Sequence, residues 1–199
     1  MSGRRIVTFD NVSADGCFAD ADGSLDWVVP SGEVTAAAMA AQPKVDTMLF
    51  GRKTYAMFES AWRDKDVDPH LPRSEPRTAN EGSRQMSAWI NENAKVVFSR
   101  TLREVTWRKS RLLPEIDAKT ITALKDEPGG DMIVFGSGSV VARLTDLGLV
   151  DEWVFVVNPV FLGRGPSLLD GLSTRPKLAL VEQRGFASTG HVLLRYGRG

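Results

Sequence analysis

Cysteine is all but missing from this 199-residue chain, which carries Cys17 alone. One thiol excludes an internal disulfide and a cysteine-built metal cage, and it fits a reducing, cytoplasmic setting. Histidine is nearly as scarce. His70 and His191 have no second histidine or cysteine at ligand spacing, so no metal site is expected. Charge of one sign is also lacking, with 25 basic residues against 25 acidic ones. Such a balance gives no global field for nucleic acid or a membrane surface, so any anion site must be local. No apolar run approaches the roughly 20 residues of a membrane helix. The start, Met1-Ser2-Gly3-Arg4-Arg5, leads into a short mixed segment without the apolar core of a secretory leader. Gly-Lys-Ser, Gly-Lys-Thr and Gly-x-Ser-x-Gly do not occur, which argues against P-loop phosphoryl transfer and a nucleophile elbow.

What is present is a threefold echo. Thr47-Met48-Leu49-Phe50 runs into Gly51-Arg52-Lys53-Thr54, Lys95-Val96-Val97-Phe98 into Ser99-Arg100-Thr101, and Met132-Ile133-Val134-Phe135 into Gly136-Ser137-Gly138-Ser139. Each apolar run reads as a short buried strand bounded by turn residues. If the three are parallel, their breaks share one sheet edge, where open α/β sheets bind ligands. Glycines, hydroxyls and two arginines collected there suit a long anion.

Around these runs the chain reads as one α/β domain over residues 1–199. A first strand is expected at 6–12, then a loop rich in Gly, Asp and Ser to Asp26, and a helix from about Pro30 to Ala41. Helices are expected at about 54–62 and 84–93, separated by an exposed polar insertion at about 63–83 that carries three prolines. Val105-Thr106-Trp107 suggests a short strand, and Pro114 suggests the start of a helix to about Lys125. A helix follows Gly138, a strand covers 153–157, and residues 177–184 and 191–196 form an antiparallel hairpin. The expected architecture is a mostly parallel central sheet flanked by helices, with an antiparallel C-terminal edge.

Arg52 and Lys53 fall at a predicted helix N-terminus, where each cation costs about 0.3–1 kcal/mol unless an anion binds there. Gly136-Ser137-Gly138 opens like a dinucleotide fingerprint but lacks its third glycine, since position 141 is valine. By itself that turn is equally compatible with a tight strand–helix connection. Asp15, Asp20, Asp22, Asp26 and Glu33 gather carboxylates after the first strand. With few protein nucleophiles or bases, a cofactor would supply the hard chemistry.

In order and spacing, Ser13-Ala14-Asp15-Gly16, Asp22-Gly23-Ser24-Leu25-Asp26-Trp27, Phe50-Gly51-Arg52-Lys53-Thr54-Tyr55, Phe98-Ser99-Arg100-Thr101, Gly136-Ser137-Gly138-Ser139 and Pro159-Val160-Phe161-Leu162-Gly163-Arg164-Gly165 resemble the dihydrofolate reductase superfamily. The chain is most similar to the branch holding the C-terminal reductase domain of the riboflavin-biosynthesis deaminase/reductase and its stand-alone relatives. The resemblance covers nearly the whole chain. It implies a dihydrofolate reductase-like fold, NADPH as hydride donor and a homodimer. It places Gly51, Arg52, Lys53 and Thr54 at the pyrophosphate and adenosine side, Ser99 and Arg100 at the ribose 2′-phosphate, and Gly136, Ser137, Gly138 and Ser139 at the pyrophosphate. Ser13, Asp15, Trp27 and Gly163 would border the substrate, with Asp15 or Glu33 as the catalytic acid.

One departure redirects the substrate. Where folate reductases carry a pterin-binding acid after the Trp–Pro segment, this chain has Gly32, with Glu33 one residue later. The reading is therefore an NADPH-dependent reductase of a small pterin-, pyrimidine- or ribityl-type heterocycle other than dihydrofolate. The alternative is a non-catalytic nucleotide- or flavin-binding protein on the same fold.

Overall fold

The computed structural model describes residues 3–40, 44–63 and 81–199. Among the described residues, five helices flank an eight-stranded sheet. In chain order the elements are β1 (Ile6–Ser13), α1 (Gly32–Ala40), β2 (Val45–Gly51), α2 (Arg52–Trp62), α3 (Glu81–Glu92), β3 (Ala94–Phe98), β4 (Ser110–Leu113), α4 (Ala118–Asp126), β5 (Asp131–Phe135), α5 (Gly138–Asp146), β6 (Glu152–Asn158), β7 (Leu178–Phe186) and β8 (His191–Arg198). The strands lie in the order β4-β3-β2-β5-β1-β6-β8-β7. The first six are mutually parallel, and β8 runs antiparallel to both β6 and β7.

Burial on both faces explains why the central strands read as continuous apolar runs. Ile121 and Leu124 of α4 and Val140, Val141 and Leu144 of α5 pack on one face. Tyr55 of α2, Ile90 of α3 and Val34 and Ala38 of α1 cover the other. The three echoing strands, β2, β3 and β5, are adjacent and parallel, so Gly51, Ser99 and Gly136 leave the sheet at one edge, as the sequence implies.

Two expected elements are displaced. Val105–Trp107 is loop, and the strand is β4, three residues later. Trp107 serves as a buried plug there: its Nε1 donates to Asn91 Oδ1 at 2.8 Å and its N–H to Tyr55 Oη at 3.2 Å. Lys109, at φ 59°, then turns the chain into β4. The helix expected from Pro114 starts at Ala118, because Asp117 is the effective cap, accepting from Thr120 N at 2.8 Å. Most of the polar insertion expected at 63–83 lies outside the described residues, and α3 begins at Glu81.

Where β1 and β5 part, the sheet opens. Their pairing ends at Phe9↔Phe135, with Gly136 N–H donating to Phe9 O at 3.2 Å. β1 continues alongside β6 through Ser13↔Asn158. Asp10 is thus the first β1 residue beyond its last β5 pair.

Among the described residues no helix is long and apolar enough to cross a membrane.

Candidate dinucleotide and substrate cleft

A cavity of about 970 Å³ occupies this opening. Gly51, Arg52, Lys53 and Thr54 line it from the β2–α2 turn, and Gly136, Ser137, Gly138 and Ser139 from the β5–α5 turn. The structure therefore brings together two runs of four residues that lie more than 80 positions apart in the chain. Ser137 joins the two turns, its Oγ accepting from Gly51 N at 3.1 Å and donating to Thr54 Oγ1.

Both helices begin without a side-chain cap. Gly51 supplies no side chain for α2, and Ser137, spent on the neighbouring turn, makes no cap bond to α5. Neither first turn carries an acid. Two positive helix ends with free N–H groups thus face one cavity, an arrangement that favours phosphate.

The glycines keep this cradle open. A Cβ on Gly51 would sit 3.2 Å from Val140 Cγ2, and one on Gly138 would sit 3.0 Å from Leu168 O and from Phe18 Cζ. Gly136 takes φ +54° and a Cβ there would project into open space. The residues present therefore fit the pyrophosphate of a dinucleotide.

Ser99 and Arg100 stand just beyond this lining. Phe98 borders the cavity, while Ser99 Oγ accepts from Thr101 N and Leu102 N at 3.2 and 3.0 Å and shapes the turn that leaves Arg100 exposed.

None of the four expected substrate residues lines the cavity, and three of them, Ser13, Asp15 and Gly163, form a hydrogen-bonded cluster of their own. Asp15 accepts from Ser13 Oγ, from Gly163 N at 2.7 Å and from Leu162 N at 3.2 Å. The Ser13 hydroxyl, and after it the Gly163 and Leu162 amides, hold the Asp15 carboxyl down at about 2. Such a group is an ionised clamp that pins the loop after β6 against the loop after β1. Trp27 lies between Leu25 and Val28, which do line the cavity, and its buried Nε1 has no hydrogen-bond partner among the described residues.

Glu33 does not join the site. With Val34 and Ala38 turned into the core, the first turn of α1 directs Glu33 toward the C-terminal hairpin. There it accepts from Ser188 Oγ at 3.3 Å and faces Arg184 at 3.9 Å. Asp15 and Glu33 thus have separate surroundings, one pinned to backbone amides and the other set against Ser188 and Arg184.

The family model of the RibD C-terminal domain matches residues 4–192. The chain belongs to the RibD C-terminal domain family. It is 28% identical over 186 residues to uncharacterized protein YyaP of Bacillus subtilis (strain 168), covering 93% of this chain and 90% of that one. A putative riboflavin biosynthesis protein from Shewanella sp. PV-4 superposes with a TM-score of 0.71 at 22% identity, over 98% of this chain and 99% of that one. Dihydrofolate reductase from Enterococcus faecalis, solved with NADP(H) and RAB-propyl, superposes at 0.61 with 11% identity, over 98% and 96%. At these identities the superpositions establish the fold, which is dihydrofolate reductase-like.

In this RibD C-terminal domain chain, two features escaped the motif reading. Asp10 lines the cavity and is 1% exposed. Burial drives its carboxyl up to about 8, while Thr8 and the Gly136 amide pull weakly the other way. Neither carboxyl oxygen has a hydrogen-bond partner of good geometry among the described residues. The sequence did carry a signal, an acid inside an otherwise apolar strand, since aspartate is almost never fully buried unless paired.

The second feature lies outside the cavity lining: His191, a buried residue of β8 whose Nε2 lies 3.2 Å from both Val29 O and Asn158 Oδ1. Asn158 Oδ1 also accepts from Val29 N at 3.0 Å, and these bonds fasten the Trp27 loop to the sheet. No local pattern links residues 29, 158 and 191.

Proposed function

We propose that this chain is an oxidoreductase that takes NADPH in the cleft and reduces a small planar heterocycle of the pyrimidine type. One observation carries the reading: two uncapped helix N-termini, tied together by Ser137, open onto a single cavity beside cationic Arg52 and Lys53. Membership of the RibD C-terminal domain family supports it. So does the likeness to a riboflavin biosynthesis protein and to a dihydrofolate reductase solved with NADP(H).

When bound, the nicotinamide would supply a hydride. The protein's own part is to bind, orient and exclude water. The first-turn N–H groups of α2 and α5 hold the pyrophosphate, and Arg52 with Arg100 offers guanidinium forks to a ribose 2′-phosphate. Phe9, Phe18, Phe58 and Phe135 give the cavity aromatic walls suited to flat rings. The Asp15 clamp keeps the loop at Gly163 against the cleft mouth.

Titration with NADPH and NADH, followed by tryptophan fluorescence, tests the cofactor. NADPH should bind at least about 10-fold more tightly, equivalent to about 1.4 kcal/mol. The double variant Arg52→Ala/Arg100→Ala should erase most of that preference. Equal binding of both coenzymes by the unaltered protein overturns the 2′-phosphate assignment. NADPH binding without oxidation across a panel of pyrimidines and pterins would favour a binding protein over an enzyme.

A further inference from the structure

Asp10 is the group the reading above does not use. It sits where β1 and β5 separate, on the cavity lining and almost wholly buried; Thr8 and the Gly136 amide lie near it, yet among the described residues neither carboxyl oxygen has a hydrogen-bond partner of good geometry. A buried polar group left without partners costs about 1–3 kcal/mol, so a resident aspartate there calls for a ligand. A carboxylic acid in its neutral form presents one O–H donor beside one C=O acceptor. Its complement is an edge that presents a C=O beside an N–H, as in a carboxamide or a ring lactam.

We propose that Asp10 acts as a neutral acid that recognises the amide-type edge of a planar ring in the cleft by two hydrogen bonds, and so determines ring specificity. This rests on the proposed reductase function. The ring is either the cofactor's carboxamide-bearing pyridine or a lactam-bearing substrate, and the chemistry read by Asp10 is the same.

The neutral form is favoured by the surroundings. Burial raises this carboxyl to about 8, and the charged groups lining the cavity are Arg52 and Lys53, both on α2. β5, the start of α5 and the loop around Phe18 contribute no titratable side chain to the lining. β6 sets Phe155 opposite Asp10, and its Glu152 pairs with Val7, three residues back along β1.

Two measurements test the proposal. The first uses ligand-free protein. The folded state holds a proton on Asp10 that the unfolded chain gives up near pH 4, so folding stability should fall as pH rises from about 4 to about 8. Asp10→Asn should remove that component, so that the wild-type-minus-variant difference in thermal unfolding slopes with pH. A flat difference overturns the neutral-acid assignment and leaves the reductase reading intact.

The second compares binding of NADP+, its 3-acetylpyridine analogue and uracil by wild type, Asp10→Asn and Asp10→Leu. The side-chain amide of Asn keeps a donor beside an acceptor and should bind within about 3-fold of wild type, whereas Leu should lose about 10- to 100-fold. Loss of NADP+ affinity, together with loss of discrimination against the acetyl analogue, assigns the pyridine carboxamide. Loss of uracil affinity alone assigns the substrate. Wild-type affinity should also weaken above about pH 8, and that of Asp10→Asn should not. Unchanged binding of all three probes by Asp10→Leu overturns the proposal alone. Failure of wild type to bind any of them overturns the reductase reading and this inference together.

Discussion

Lys95 shows how the same burial acts on the opposite charge. It is fully buried at the start of β3, its Nζ donating to Asn93 O at 2.8 Å and lying over the Trp107 ring at 4.6 Å. Burial, with repulsion from Arg108 and Lys109 behind it, lowers its ammonium to about 8. The folded state therefore releases this proton before the unfolded chain does. Stability should rise between about pH 8 and pH 10.5, by no more than about 3 kcal/mol. Lys95→Met should flatten that limb of the denaturation profile. Asp15 makes a complementary case: Asp15→Ala should leave Lys95 titration untouched and speed hydrogen exchange at the Leu162 and Gly163 amides, which lose their acceptor.

At the scale of elements, the cradle depends on two turns sharing one hydroxyl. Ser137 is a non-glycine residue at φ 61°, a costly conformation that its bonds to Gly51 and Thr54 compensate. Ser137→Ala should cost about 1 kcal/mol of stability for the lost bonds and weaken NADPH binding about 10-fold, read by calorimetry. Gly138→Ala should be more disruptive, since its methyl must displace either the Leu168 carbonyl or the Phe18 ring that covers the start of α5. A variant that kept full NADPH affinity with Phe18 displaced would show that this ring plays no part in closing the cleft.

Across the whole molecule, the parallel strands separate a binding edge from a structural one. At the edge opposite the cleft, buried Glu152 at the start of β6 pairs with Arg5 at 2.8 Å and with Arg195 of β8 at 2.9 Å, and Arg195 reaches Glu182 of β7 at 2.7 Å. The network ties the antiparallel hairpin to the parallel sheet. Removing one partner of a buried pair leaves charge uncompensated at a cost of about 3–5 kcal/mol, with Arg5 here offsetting part of it. Arg195→Gln should thus lower the unfolding free energy by about 2 kcal/mol or more, seen as a lower unfolding midpoint, and leave NADPH affinity unchanged. A matching loss of affinity would mean the two edges are coupled through the sheet.

The strands β2, β3 and β5 were legible because buried parallel strands write themselves as short apolar runs, and their shared edge followed from parallelism. The turns that line the cavity were legible for a related reason: glycine, hydroxyl and arginine chemistry is local to each turn. Trp107 misled because a β-branched and aromatic triplet looks alike in a strand and in a loop that plugs a core. Pro114 misled because the stronger cap, Asp117, lay three residues on. Glu33 was drawn in by its distance from Trp27 along the chain, yet helix phase turned it toward Ser188 and Arg184.

Local chemistry therefore determined, from the residues alone, the class of fold, the order of its central elements and the glycine, hydroxyl and cationic make-up of two turns. Those properties depend on near neighbours in the chain. Packing alone decided the state of Asp10, the clamp made by Asp15 and the His191–Asn158 tie. Each depends on desolvation or on hydrogen bonds between segments that only folding brings together.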